Sequence, residues 1–441
     1  MTVSQRLPAA ETALYPRLAW LRPRSTLRLS LHPPGADWEL ESGGPGEPQL
    51  ETYGTTAWSP SGLTPQRVNS ARSALNTFRE ELSEQLDEIG PQELADRLSD
   101  FSPHDDWSVP SDRPDNVHRL AWDDLAKNSQ TLRTLASSGR ALFDALFPTG
   151  NIIHELIDKL KPGDQLRIIW YPEAPYDTCG HIPWSLLYRG RANYGGPPVD
   201  QQQFLGMRLR IAHTAHGINS SRSIGPSDTT TRAHILYWGD APEYLAGGAR
   251  EHASALASWT PRPLLLPSGE HGRREEICQF LATPQPPPIK LVYLYCQCTQ
   301  GTGAEPTLHF GNEVESQIQL AHLRGEPFDD QPLVFVNACQ TASASPFYFN
   351  ELEQVFFERQ CRAYIGSECM IPIRFGGRFA EAFFHFLYMR PDGRPMFAGE
   401  AMTQARKFFW DEYCSLGGLF YSYINDDRIC VATHEEIAAL R

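Results

Sequence analysis

Five short apolar runs set the pattern of the chain: Leu166–Trp170 (LRIIW), His234–Trp238 (HILYW), Leu291–Tyr295 (LVYLY), Leu333–Asn337 (LVFVN) and Ala363–Ser367 (AYIGS). Runs of this length, bounded by turn-forming residues, suit strands buried on both faces, as in a parallel sheet. Helical spacings separate several of them. Leu352, Val355 and Phe356 mark one helix, Phe379, Phe383, Phe384 and Leu387 a second, and Ala401, Ala405 and Phe408 a third. Strand–helix alternation of this kind predicts an open α/β sheet covered by helices on both sides. The earlier part of the chain reads differently. Residues 26–42 predict a β-hairpin with its turn in PPGAD, and Thr64-Pro65 predicts the start of a helix. Behind Pro65, Val68, Ala71, Leu75, Phe78 and Leu82 form one apolar stripe at helical spacing. The proline- and aspartate-rich segment 98–117 reads as a linker or long surface loop.

Composition narrows the function classes. The 441 residues are 41% hydrophobic and 21% charged, enough for a sizeable core in a soluble chain. No apolar run approaches the roughly 18 residues of a membrane span, so no membrane is expected as a partner. The N-terminus lacks the basic-then-apolar pattern of a secretory signal, and a cytoplasmic protein is the expectation. A net charge of −14 argues against nonspecific nucleic-acid binding, which draws on basic residues. Nine cysteines in such a chain do not read as a disulfide framework. The phosphate-binding loop G-x-x-x-x-G-K-[ST] and the nucleophile elbow G-x-S-x-G are both absent. No cofactor is implied.

In open α/β sheets, reactive residues gather just beyond the C-terminal ends of the strands. Two such places carry cysteine: Cys339 after LVFVNA, and Cys296-Gln297-Cys298 after LVYLY. A cysteine beyond a buried strand can face a crevice near a helix N-terminus, where its pKa falls and the thiolate becomes available. The same residues also read as buried thiols, which behave as small hydrophobes. Metal binding by Cys296, Cys298 and Cys339, with His309, is a further alternative, because residues two apart on a strand point the same way.

LVFVNACQTA resembles the CHAT family, in which a hydrophobic strand ends in Asn-Ala-Cys and the Cys is a protease nucleophile. Other blocks are similar in the same order: GHIPWSLLY (180–188), HILYWGDAPE, AYIGSECMIP, FAEAFFHFLY and GEAMTQARKFF. The resemblance covers roughly residues 120–430 and implies a caspase–hemoglobinase-type three-layer α/β sandwich with a mainly parallel sheet. It implies an N-terminal extension over 1–118, then a CHAT-like domain over 119–441. Within that domain 119–290 would be a degenerate half and 291–441 the catalytic-type half.

The family pairs its Cys with a His in an apolar-Cys-His-Gly pattern about forty residues upstream. Here Gln297 stands at the His position and Cys298 at the Gly position, whose N–H contributes to the oxyanion hole. An amide cannot accept a thiol proton near neutrality, so the resemblance implies a catalytically impaired pseudoprotease. Such a protein would serve bacterial defence or conflict signalling by binding another protein or peptide segment, such as an active protease or a sensor. The alternative is an active cysteine endopeptidase in which Cys339 relies on another base, with His181 and His309 as candidates. Asp177, Asp240 and Glu368 lie where a basic-specific relative would carry its pocket acid, with nothing in the sequence to choose among them.

Overall fold

Leu27, Leu29 and Leu31 alternate with Arg28 and Ser30 along strand β1 (Ser25–His32), and all three leucines are buried. That one-sided apolar pattern needs a neighbour on the same core. Strand β1 pairs antiparallel with β2 (Gly35–Ser42) on one edge. On the other it pairs parallel with β4 (Gln165–Trp170), Leu27 opposite Leu166 and Leu29 opposite Ile168. The sequence assigned the hairpin to an extension; the structure joins it to the central sheet, followed by β3 (Leu50–Ala57) on the outer edge of β2.

The computed structural model describes residues 25–42, 50–60, 62–101, 126–171, 182–192, 197–215, 232–237, 252, 264–267, 274–282, 289–299, 306–310, 314–328, 331–339, 341, 351–389, 395–425 and 429–431. The further strands are β5 (Arg210–Ala215), β6 (Arg232–Tyr237), β7 (Leu264–Pro267), β8 (Ile289–Tyr295), β9 (Gln297–Thr299), β10 (Thr307–His309), β11 (Gln317–Gln319), β12 (Leu333–Asn337), β13 (Ala363–Ser367) and β14 (Tyr421–Asn425). Eleven of them form one sheet in the order β3-β2-β1-β4-β5-β14-β13-β12-β8-β6-β7, while β11-β10-β9 form a small sheet of their own. Pairing in the large sheet is mainly parallel. The antiparallel exceptions are β1–β2, β2–β3 and β13–β14. All five apolar runs became strands of this sheet.

Helices cover both faces. On one side lie α1 (Pro65–Asp87), α2 (Pro91–Asp100), α3 (Gln130–Leu146) and α4 (Ile152–Lys159), together with α9 (Ile373–Tyr388) and α10 (Ala398–Tyr413). On the other, α6 (Arg274–Ala282), α7 (Leu320–Leu323) and α8 (Glu351–Glu358) pack on Val292, Leu294, Val334 and Val336. The single-turn α5 (Leu205–Arg208) precedes β5. Helix α1 starts as expected: the Thr64 side chain accepts from the Arg67 N–H and Pro65 opens the first turn. Its stripe of Val68, Ala71, Leu75, Phe78 and Leu82 is buried within the same chain. Of the expected linker 98–117, residues 102–117 lie outside the described residues. No helix among the described residues is long and apolar enough to cross a membrane.

Contact between α3 and the Pro183-Trp184 block depends on one glycine. A Cβ on Gly139 would lie 2.2 Å from the Leu186 carbonyl oxygen, inside a helix whose backbone cannot yield alone. Gly139→Ala is therefore expected to cost about 1–3 kcal/mol through overpacking, read as a lower urea midpoint. An unchanged midpoint would mean that the 184–186 turn moves aside freely.

Candidate functional site

Strands β8 and β12 lie side by side and in parallel, Asn337 opposite Tyr295, and beyond their C-terminal ends Cys296 and Cys298 come close enough to Cys339 to feel its charge. The turn after β12 is tightly fixed. The Thr341 hydroxyl donates to the Val336 carbonyl at 2.9 Å and accepts the Ser367 N–H at 3.0 Å. The Ser367 hydroxyl donates to the Ala338 carbonyl, and the Tyr364 hydroxyl donates to the Thr341 carbonyl at 2.9 Å. Cys339 sits within this turn, held by bonds that leave its own backbone little choice of position.

The Cys339 thiol meets the segment beyond β13. The Ile371 N–H points at Sγ from 3.4 Å, and the Ile371 carbonyl oxygen lies 3.9 Å from the same sulfur. Burial pushes the thiol above its ordinary pKa, and the Ile371 hydrogen bond and the Arg79 charge oppose that only in part. The neighbouring thiols behave alike. Burial raises Cys296 and Cys369 well above the usual thiol range and pushes Cys298 up to about 12, with Cys339 as a further influence on each. These neutral thiols do not form a metal cage: no group of three or more His, Cys, Asp or Glu among the described residues could hold a metal ion.

Gln297 and Cys298 lie on β9, whose residues alternate outward, inward, outward. Cys298 points into the core with Leu308, Phe310 and Ile318, whereas the Gln297 side chain is exposed. The cross-strand partner of Gln297 is His309, whose Nε2 lies 2.6 Å from the Thr299 hydroxyl oxygen. Burial lowers the pKa of His309. Its bond is to Thr299, not to Cys339. His181, Asp177 and Asp240 lie outside the described residues.

Glu368 is fully buried. Its carboxylate accepts from Arg72 Nε of α1 at 3.1 Å and from the Ser422 hydroxyl, which leaves it no role in receiving a substrate side chain. Its backbone N–H donates to the Phe420 carbonyl at 2.7 Å.

Directly beneath the turn lies a polar network that sequence reading missed. The Asn337 amide donates to the Tyr293 hydroxyl and the Gly376 carbonyl, both at 2.8 Å, and accepts from the Tyr421 hydroxyl at 2.8 Å. Tyr293 is 2.8 Å from His252 Nε2, and His252 Nδ1 is 2.9 Å from Glu381. Arg378 grips Glu381 through both carboxylate oxygens and donates to the Ile89 carbonyl. The bonds close if Tyr293 donates to Nε2 and His252 donates from Nδ1 to Glu381. Burial raises the Tyr293 pKa far above its usual value, consistent with a retained proton. The available signals were Asn337, a polar residue ending an apolar run, and Arg378 and Glu381 three apart in a phenylalanine-rich helix.

A family model described as CHAT domain matches residues 136–414. Among solved structures, the chain is similar to the Arg-specific cysteine proteinase gingipain R (TM-score 0.40, 11% identity, covering 68% of this chain and 69% of that one). The complex of the Porphyromonas gingivalis RgpB pro- and mature domains is similar to the same degree (TM-score 0.40, 11% identity, 68% and 70%). A third likeness is to the Saccharomyces cerevisiae separase–securin complex (TM-score 0.44, 12% identity), covering 95% of this chain but 31% of that chain. No curated protein matches the chain.

Proposed function

We propose that this chain, which belongs to the CHAT-domain family, is a catalytically impaired member that acts by binding another protein or peptide segment in bacterial defence or conflict signalling. One observation carries the reading: the hydrogen bond to the Cys339 thiol comes from the Ile371 backbone, while the position expected for the base holds an exposed Gln297. A Cys–His dyad works because the imidazole takes the thiol proton and returns it to the leaving group. An amide does neither, and a thiol pushed up by burial stays protonated at neutral pH. The competing enzyme reading requires a base from elsewhere. Its support is the Ile371 N–H and the Arg79 charge, both of which favour a thiolate.

Alkylation of Cys339 in the native protein, followed by mass spectrometry across pH, separates the two. The rate is expected to stay low at pH 6–7 and to rise only above the roughly 8.5 of an ordinary thiol. In parallel, wild type is expected to lack peptidase activity, and Gln297→His with Cys298→Gly to create it. Cleavage by wild type that Cys339→Ala abolishes, or rapid alkylation at pH 6, would overturn the pseudoenzyme reading.

A further inference from the structure

We propose that helix α1 is a clamp on the loop that holds the Cys339 thiol, with Arg72 and Glu368 as its positioning pair. The loop is Ser367–Ile371, which supplies both the Ser367 bonds that fix the Cys339 turn and the Ile371 N–H on Sγ. Two bonds tie it to α1. Arg72 Nε donates to Glu368, with both side chains almost wholly buried, and the Met370 N–H donates to Asn76 Oδ1 at 3.0 Å. A third residue of α1, Arg79, is close enough for its charge to act on Cys339 and on Cys369.

Residues 72, 76 and 79 are spaced by four and three, so they share one face of α1. That face runs beside the apolar stripe that buries α1 against the core. The helix thus does two things at once: its apolar stripe holds it to the sheet, and its polar row holds the thiol loop. Arg72, Asn76 and Arg79 all precede residue 136, where the family match begins, so the clamp is supplied from outside the CHAT domain.

Glu368 is fully buried, and Arg72 and the Ser422 hydroxyl both bond its carboxylate. Removing one partner of a buried pair leaves the other charge uncompensated, which favours local opening. Here the segment that opens is the one packed against Cys339, which is itself only partly buried. A binding partner that displaced α1 would expose the thiol by the same route. The clamp concerns where the thiol sits; it operates whether or not Cys339 attacks a substrate.

The test is iodoacetamide labelling of the full-length protein at pH 8 with site-by-site mass spectrometry. Cys278 in α6, partly buried and on the opposite face of the sheet, reports general loosening. Arg72→Met is expected to speed Cys339 labelling by about tenfold or more, a tenfold change corresponding to about 1.4 kcal/mol of opening free energy. Cys278 should label at its wild-type rate, and Arg72→Lys should restore part of the protection. Asn76→Ala, which removes one partly exposed contact and spares the ion pair, should give a smaller rise of about two- to threefold, and it decides the matter if Arg72→Met does not fold. An unchanged Cys339 rate in a folded variant, or equal acceleration of Cys278 and Cys339, would overturn the clamp.

Discussion

Glu381→Ala is expected to lower stability by about 3–5 kcal/mol, enough to move the urea midpoint at pH 7.5 well below that of wild type. The carboxylate holds the Arg378 guanidinium through two bonds and the His252 ring through one, and all three side chains are at most 5% exposed. Alanine takes both carboxylate bonds from a buried guanidinium that also donates to the Ile89 carbonyl, and leaves the imidazole Nδ1 without its Glu381 acceptor. The damage would travel upward, because His252 braces Tyr293 and Tyr293 braces Asn337, two residues before Cys339. Glu381→Gln keeps an acceptor for both partners and should lose less. A loss under about 1 kcal/mol in the alanine variant would mean that the network is not a support of the site.

As pH rises above about 8.5 the protein is expected to lose resistance to urea progressively. Burial raises Cys296, Cys298, Cys361 and Cys369, so these thiols keep their protons in the folded state long after an unfolded chain would release them. A group whose folded pKa is raised contributes its stability in full below the unfolded value, roughly 8.5 for Cys, and loses it as pH climbs toward the folded value. Each such thiol adds a slope of about 1.4 kcal/mol per pH unit. Together they make the fall in stability steeper than any one thiol would. Tyr293, Tyr364 and Tyr421, also raised by burial, extend the loss above pH 10. Urea titrations at half-unit intervals measure this directly, and a midpoint flat from pH 7.5 to 10 would mean that the thiols meet solvent.

Much of the site could be read from the sequence because it depends on short-range order. Leu333–Asn337 is an apolar run that suits a buried strand, and it is one; Cys339 follows two residues later, in a turn that Thr341 ties back to Val336. Gln297 and Cys298 likewise follow an apolar run, the strand β8 that pairs with β12 as far as Tyr295 opposite Asn337. What the sequence left open was direction. Alternation along β9 turns Gln297 outward and Cys298 inward, and only the pairing with β10 decides which residue takes which face. Glu368 shows the limit most clearly. As a carboxylate past a strand end it could have been a pocket acid, and its partner lies 296 positions away on α1.

The hairpin at Ser25–Ser42 has the same lesson at larger scale. Its alternation identifies it as a hairpin with one apolar face, yet the partner that completes that face is β4, more than a hundred residues later. The amino-acid order alone determined the α/β class, the parallel strands, the helix start at Thr64 and the two loops where chemistry would be sought, because periodicity, capping and turn formation act over a few residues. Tertiary structure alone decided that the hairpin joins the sheet, that Arg72 neutralises Glu368, and that His252, Tyr293 and Asn337 meet beneath Cys339. Those outcomes depend on which distant surfaces exclude water together, and no local window of the chain contains that information.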